Sequence, residues 1–449
     1  MTARILAIEF RRSGVIWAVA ITIPLAFAWP LLAEGLTAVM GEQRSNLANL
    51  VPLALGLGAW QARRDRRSRM PELLATVARP EWQRLLHIAT ALGLAVTTGS
   101  LVVTAGLAIY GLVLGAYIPA VAIAPAVVTA LCLATAVWLG LAVGRAVPWT
   151  LIPPLLLLGG SAAMVWLSII TDTEGYTNSS APGTLLLNPA SSTGFGAFET
   201  LTGRAHLAQA SWVVALAAAS LVVGVTRQRR PAAVLPLGLG LTVAVLLLPS
   251  SLHDAVTLDR GALALVCTPD DRPVCARRLH PRVLDDLREP GRQALALLSA
   301  KLPQAPSRVV EAYYGADTRA ALDPRADILY AEISTAETGR VDATERDILW
   351  TLLMGAGTLA CPEAQRAGGP RYHAARLVAA AWLLEEQPPA PTDADDPALA
   401  SVSVTGPAYQ ALLSVPADEQ RARVAALREA ELVCAPGDRL DMLVGSREQ

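Results

Sequence analysis

The sequence predicts a polytopic α-helical membrane protein of about seven transmembrane helices, N-terminus inside and C-terminus outside, joined to a C-terminal extracellular α+β domain. Three observations carry this expectation: the split of charge along the chain, a series of apolar runs near spanning length, and the placement of arginine and cysteine around those runs. Of 449 residues, 53% are hydrophobic and 17% charged, with mean hydropathy +0.42. A soluble chain carries about 25% charged residues. Residues 1–249 hold 16 arginines against 9 acids, a net of +7, whereas residues 250–449 carry a net of −8. The first part is composed for lipid and the second for water.

Seven apolar stretches reach or approach spanning length: 13–32, 46–60, 85–114, 119–143, 149–170, 210–226 and 232–249. The first follows a basic segment but is long enough to span, so it reads as a retained helix rather than a cleavable leader. Pro24, Pro30, Pro125, Pro153, Pro154 and Pro236 fall inside these runs. Proline breaks an isolated soluble helix, but neighbouring helices re-satisfy the freed backbone groups in a membrane.

Arginine sets the orientation, because cytoplasmic loops concentrate positive charge. With the N-terminus inside, 14 of the 16 arginines of residues 1–249 fall on the cytoplasmic side, and only Arg44 and Arg204 fall outside. Seven crossings then place residues 250–449 outside the plasma membrane. The cysteines agree. Cys267, Cys275, Cys361 and Cys434 lie in the outer domain, while Cys132 sits in an apolar run. Four cysteines in an oxidising compartment fit two disulfides and permit three pairings. Cys267–Cys275 with Cys361–Cys434 is favoured, because the first pair closes a short proline-containing loop.

The outer domain reads as strands at 262–266, 308–313 and 327–333, and helices at 281–301, 343–359, 371–386 and 419–432, with a Pro/Asp-rich loop at 387–397. Asp270, Asp271, Asp285 and Asp286 read as solvated carboxylates. No Ser/His/Asp set can be assembled by spacing. The order strand, helix, then Trp382-Leu-Leu-Glu-Glu resembles zincin-like peptidases, in which a Trp-Leu-x-Glu stretch supplies a later metal ligand. Glu345-Arg-Asp-Ile-Leu-Trp stands where the paired histidines belong, so the resemblance implies no working metal site. No catalytic, cofactor-binding or metal-ligating residue is assigned.

One inner loop stands out. A basic block, Arg63-Arg-Asp-Arg-Arg-Ser-Arg, precedes a short amphipathic helix at 71–78. Pro71 suits a first helical position, Glu72 complements the dipole, and Pro80 ends the turn. Such a segment serves either as an anchor on anionic lipid or as a docking helix for a cytoplasmic partner. Val51-Pro-Leu-Ala-Leu-Gly-Leu-Gly-Ala-Trp-Gln-Ala-Arg-Arg-Asp-Arg-Arg, followed by Glu72-Leu-Leu-Ala-Thr and Arg79-Pro-Glu-Trp-Gln-Arg, resembles the permease subunits of actinobacterial ABC-2-type transporters. The resemblance covers this loop and a six-helix layout.

It implies that residues 1–231 form the six-helix unit, that 62–84 is the cytoplasmic coupling segment, that 232–249 is an added helix, and that 250–449 is an appended domain. It implies ATPase-coupling roles for Arg66, Arg67, Met70, Glu72, Leu73, Leu74, Arg79 and Trp82. It also implies a second copy of the chain and a separate cytoplasmic ABC ATPase that binds ATP and Mg. Lys301, the only lysine, lies between Ala300 and Leu302, so the chain has no Gly-Lys-Ser/Thr phosphate loop of its own. In that family the outer loop corresponding to 171–209, with Leu185-Leu-Leu-Asn-Pro-Ala and Gly194-Phe-Gly-Ala-Phe, often carries re-entrant helices.

Within the apolar runs no acid sits mid-helix, and His87 lies at the inner end of its run. Carboxylate-relay coupling is therefore not expected. The implied activity is ATP-driven export of an amphipathic substrate, by a chain with no enzymatic function and no nucleic-acid partner. The alternative is a non-transporting membrane sensor or scaffold whose outer domain binds a ligand or protein.

Overall fold

The computed structural model describes residues 36–67, 81–113, 117–118, 123–147, 149–175, 186, 198–225, 231–250, 252–312, 325–333, 341, 343–388 and 402–445. The chain divides into two compact units, Met1–Ala262 and Leu263–Gln449. The expected span at 13–32 lies outside the described residues.

In the first unit the described helices are α1 (Leu36–Arg67), α2 (Glu81–Val113), α3 (Ile123–Ala146), α4 (Ile152–Gly175), α5 (Gly203–Val225) and α6 (Val234–Leu247). Each overlaps one of the expected apolar runs. Three stretches are long and apolar enough to cross a membrane, Leu85–Val113, Ile123–Ala146 and Gly203–Val225; Ile152–Leu167 and Pro231–Leu247 are apolar but shorter. This is compatible with a membrane protein. α1 begins ten residues before the expected run at 46, so Glu42 and Arg44 continue a helix where hydropathy placed an outer loop. α5 begins at Gly203 rather than 210, which draws His206 and Gln209 into the helix.

The bundle is held by close backbone approach. A Cβ at Gly58 would sit 2.0 Å from the carbonyl oxygen of Val137, and one at Gly140 would sit 2.0 Å from that of Leu55. One at Gly144 would meet the Cα of Ala59 at 2.9 Å. Gly140 and Gly144 form the small-xxx-small spacing that lets helices touch along their backbones. The contacts rise together in number, so α1 and α3 run parallel. Gly56 and Gly160 face Pro153–Leu157 and Pro52 respectively, so α1 and α4 run antiparallel. Trp138 Nε1 donates to the Ala89 carbonyl oxygen at 2.7 Å across the α2–α3 contact. Thr135 Oγ1 donates to the Val213 carbonyl oxygen at 3.3 Å across α3–α5.

Chain direction then sorts the ends. The C-termini of α1, α3 and α5 and the N-termini of α2 and α4 share one end. At the other end, β1 (Glu199–Leu201) pairs antiparallel with β2 (Val256–Leu258), which follows the single turn α7 (Leu252–Ala255). There Tyr117 donates to Asp259 Oδ1 at 3.2 Å, and the same oxygen accepts the Gly261 N–H at 2.9 Å. These pairings attach 252–262 to the helical unit, so the division of the chain falls after Ala262 rather than at 250.

The second unit is α+β. A four-stranded sheet has the order β3 (Leu265–Cys267), β4 (Val274–Arg277), β5 (Arg308–Glu311), β6 (Ile328–Ala331), antiparallel in the first pairing and parallel in the others. α8 (Pro281–Lys301) crosses between β4 and β5 with Pro281 in its first turn, and buries Val283, Leu287, Ala294, Leu295 and Leu298 at helical spacing. Then come α9 (Glu345–Leu353), a 3₁₀ turn (Met354–Ala356), α10 (Pro362–Leu384), α11 (Val402–Leu413), α12 (Ala417–Leu432) and α13 (Arg439–Val444). Thr344 and Asp347 cap α9 reciprocally. α10 is broken at Gly369, φ +46°, which is why sequence periodicity begins only at Arg371. One core joins α8, the sheet, α9, α10 and the C-terminal helices through Leu295, Leu329, Leu353, Val378, Leu412 and Leu427.

Candidate functional site

The end of the helical unit that gathers arginine is the candidate site. α1 finishes in Arg63, Arg64, Arg66 and Arg67, and α3 finishes in Arg145. Packing of Gly144 against Ala59 and Ala62 brings Arg145 to the level of Arg63. Arg63 Nη1 donates to the Thr150 carbonyl oxygen at 2.9 Å, tying the last turns of α1 to the connection between α3 and α4. The Arg64 guanidinium lies 5.9 Å from the Trp60 ring centroid, within cation–π range. Trp60, Trp82 and Trp149 are exposed at this end. α5 ends and α6 begins at this same end, on either side of Arg227, Arg229 and Arg230 in the sequence. At the opposite end the first turn of α5 carries Arg204.

Of the expected coupling residues, Arg66 and Arg67 close α1, with Arg67 exposed, and Trp82 stands in the first turn of α2, 49% exposed. Met70, Glu72, Leu73, Leu74 and Arg79 lie outside the described residues. α1 therefore ends, and α2 begins, at the arginine-bearing end.

Among the buried polar side chains of the helical unit, Gln61, His206 and Gln209, exposed by 5%, 6% and 2%, carry the largest polar groups and were not expected. The signal for the last two was the polar first two turns of α5, which hydropathy alone excludes from the helix.

In the second unit both disulfides join the expected partners. Cys267 faces Cys275 across the β3–β4 register, and Cys361, at the start of α10, bonds Cys434, just beyond α12. Cys132 is the free cysteine and is buried. Between the two ends of the second bridge lies a cluster that the sequence did not announce. Glu431, fully buried, accepts from Arg376 Nη1 at 2.8 Å, Arg439 Nε at 2.7 Å and the Tyr372 hydroxyl at 2.6 Å. Burial pushes the Tyr372 phenol above its ordinary range. Arg428 donates to the carbonyl oxygens of Ala356, Gly357 and Ala326 at 2.6, 2.9 and 3.0 Å. Burial lowers its pKa to about 10. Arg376 and Arg428 together brace three consecutive left-handed residues, Gly355, Ala356 and Gly357. Such strain persists only where its surroundings hold it.

His280 Nδ1 and Glu311 Oε1 meet at 2.5 Å, both groups buried, and Glu311 Oε2 accepts the Arg277 backbone N–H at 2.6 Å. This pair ties the start of α8 to the end of β5. The stretch that resembles a peptidase is occupied structurally. Lys301 holds the Glu385 carboxyl below the usual range, Arg346 pairs with Glu386, and Trp382 Nε1 donates to Gln420. Asp270 and Asp286 are engaged rather than simply solvated: Asp270 pairs with Arg292, which lowers its pKa, and Asp286 accepts the Val341 N–H at 3.1 Å. Among the described residues no three His, Cys, Asp or Glu side chains gather as metal ligands would.

Compared with known proteins, the chain matches no protein-family model, no curated protein and no solved structure.

Proposed function

We propose that the chain is the membrane-spanning permease subunit of an ATP-driven transporter of the ABC-2 type, exporting an amphipathic substrate as two copies with a separate cytoplasmic ATPase. ATP and Mg belong to that ATPase. The arginine-bearing end faces the cytoplasm, and the disulfide-bearing unit lies outside. The observation that supports this reading is the shared end of three helices: Arg63 ties the last turn of α1 to Thr150 ahead of α4, and Trp82 stands in the first turn of α2 at the same end. A partner that loads this end would act on α1, α2 and α4 together, which is what coupling to an ATPase needs.

Affinity capture of the full chain from its host membranes tests this. The intact chain is expected to bring down an ABC ATPase, and charge reversal at Arg66, Arg67 and Glu72 is expected to lose it. An intact chain that recruits no ATPase and stimulates no ATP hydrolysis would end the transporter reading. The second reading, a membrane sensor or scaffold, draws support from the outer unit's independent core and its two disulfides. It would then stand on a partner captured by residues 263–449.

A further inference from the structure

We propose that the arginine end of the helical unit holds the phosphate of one anionic glycerophospholipid, seated between the last turn of α1 and the connection leading into α4. Basic pockets between helices at a membrane face are sites for anionic headgroups, and two independent features mark this one.

The first is Arg63. Its Nη1 is spent on the Thr150 carbonyl oxygen, which fixes the guanidinium between two helix ends. Its Nε–H is buried and has no hydrogen-bond partner among the described residues. A buried donor left unpaired costs free energy, and a phosphate oxygen removes that cost with a charge-assisted bond. The second is the ring of indoles at the same level. Trp60, Trp82 and Trp149 are 45%, 49% and 68% exposed, and the Arg64 guanidinium lies over Trp60 at 5.9 Å from its centroid. Tryptophan settles where acyl chain meets headgroup. Along α4 the next exposed indole is Trp166, about 25 Å further at the helical rise, close to the ~30 Å hydrocarbon thickness. The two levels of indole therefore bracket a bilayer, and Arg63 and Arg64 fall at the depth of its phosphates. Arg67 lies one turn further out. The exposed indoles at this level set Arg63 at headgroup depth, which selects a lipid over a soluble acidic protein.

This inference rests on the membrane placement proposed above but not on transport. Native mass spectrometry of the purified, delipidated chain, offered phosphatidylglycerol or phosphatidylcholine, reads the site. The wild-type chain is expected to retain one phosphatidylglycerol in preference to phosphatidylcholine. Arg63→Gln with Arg64→Gln is expected to lower that retention about tenfold or more, while Arg204→Gln at the opposite end leaves it unchanged. Shielding of Cys132 from a thiol dye confirms that the variants are folded. Equal retention of the two lipids, or full retention by the double variant, overturns the site. Displacement by soluble glycerol phosphate at matched concentration would assign the pocket to free phosphate instead and overturn the lipid assignment. A chain that does not enter bilayers at all defeats the membrane reading and this site with it. Retention of the lipid without capture of an ATPase removes the transporter reading and leaves the site standing.

Discussion

Replacing Glu431 with glutamine should destabilise the second unit by about 3–5 kcal/mol, the range for breaking a buried ion pair from one side. Arg376 and Arg439 are 3% and 1% exposed and share the carboxylate of Glu431. Without its charge, two guanidinium groups remain buried, with only carbonyl oxygens and the new amide to face. The packing would barely change, because glutamine matches glutamate in volume. Pulse proteolysis in urea reads the unit directly. Adding Arg376→Met to Glu431→Gln should recover part of the loss, since it removes one of the orphaned charges. A loss below about 1 kcal/mol for Glu431→Gln would mean that the cluster is wetter and weaker than its geometry implies.

Gly140→Leu should be among the most damaging single changes in the helical unit. The Cβ alone would sit 2.0 Å from the Leu55 carbonyl oxygen, and that obstacle is backbone, so no side chain can move aside. α1 and α3 must separate, which costs about 3 kcal/mol or more at an overpacked contact. For a unit of this size that corresponds to a fall in melting temperature of roughly 6–12 °C. Cys132 supplies the probe: it is 6% exposed within the same helix packing, so the onset of its reaction with a thiol dye on heating reports opening of the bundle. Gly159→Ala and Gly238→Ala, where a Cβ would meet nothing within 4 Å, are the controls and should leave the melting temperature nearly unchanged.

The legible parts of this fold are those whose signal is local. α8 was readable to the residue because Pro281 opens it and apolar positions recur every three or four residues. β5 and β6 declared themselves as short runs of Val, Ile and Leu. β4 did not: it is four residues long, follows Pro273 and ends in Arg277, and its partners come from strands before and after it in sequence. α11 and α13 were missed for a similar reason, being short helices that take their stability from the shared core.

At the arginine end, composition showed that charge gathers in particular loops. It could not show that Arg63 reaches Thr150, 87 residues away. Nor could it show that α1 and α3 touch through Gly58, Gly140 and Gly144. The Glu431 cluster was invisible because the charges of an amphipathic helix read as a solvated face. Its partners, Tyr372 and Arg376, lie 59 and 55 residues upstream. Polar groups are buried when their partners converge in space, and that convergence is not written in any one segment.

In the topology we propose, the arginine end faces the cytoplasm and the disulfide-bearing unit faces outward. Single cysteines introduced at Ser68 and at the exposed Ala296 of α8, treated in intact cells with a membrane-impermeant thiol reagent, test it most directly. Labelling at Ala296→Cys with none at Ser68→Cys until the cells are opened is the predicted result. Labelling of Ser68→Cys in intact cells, with Ala296→Cys protected, would contradict the account.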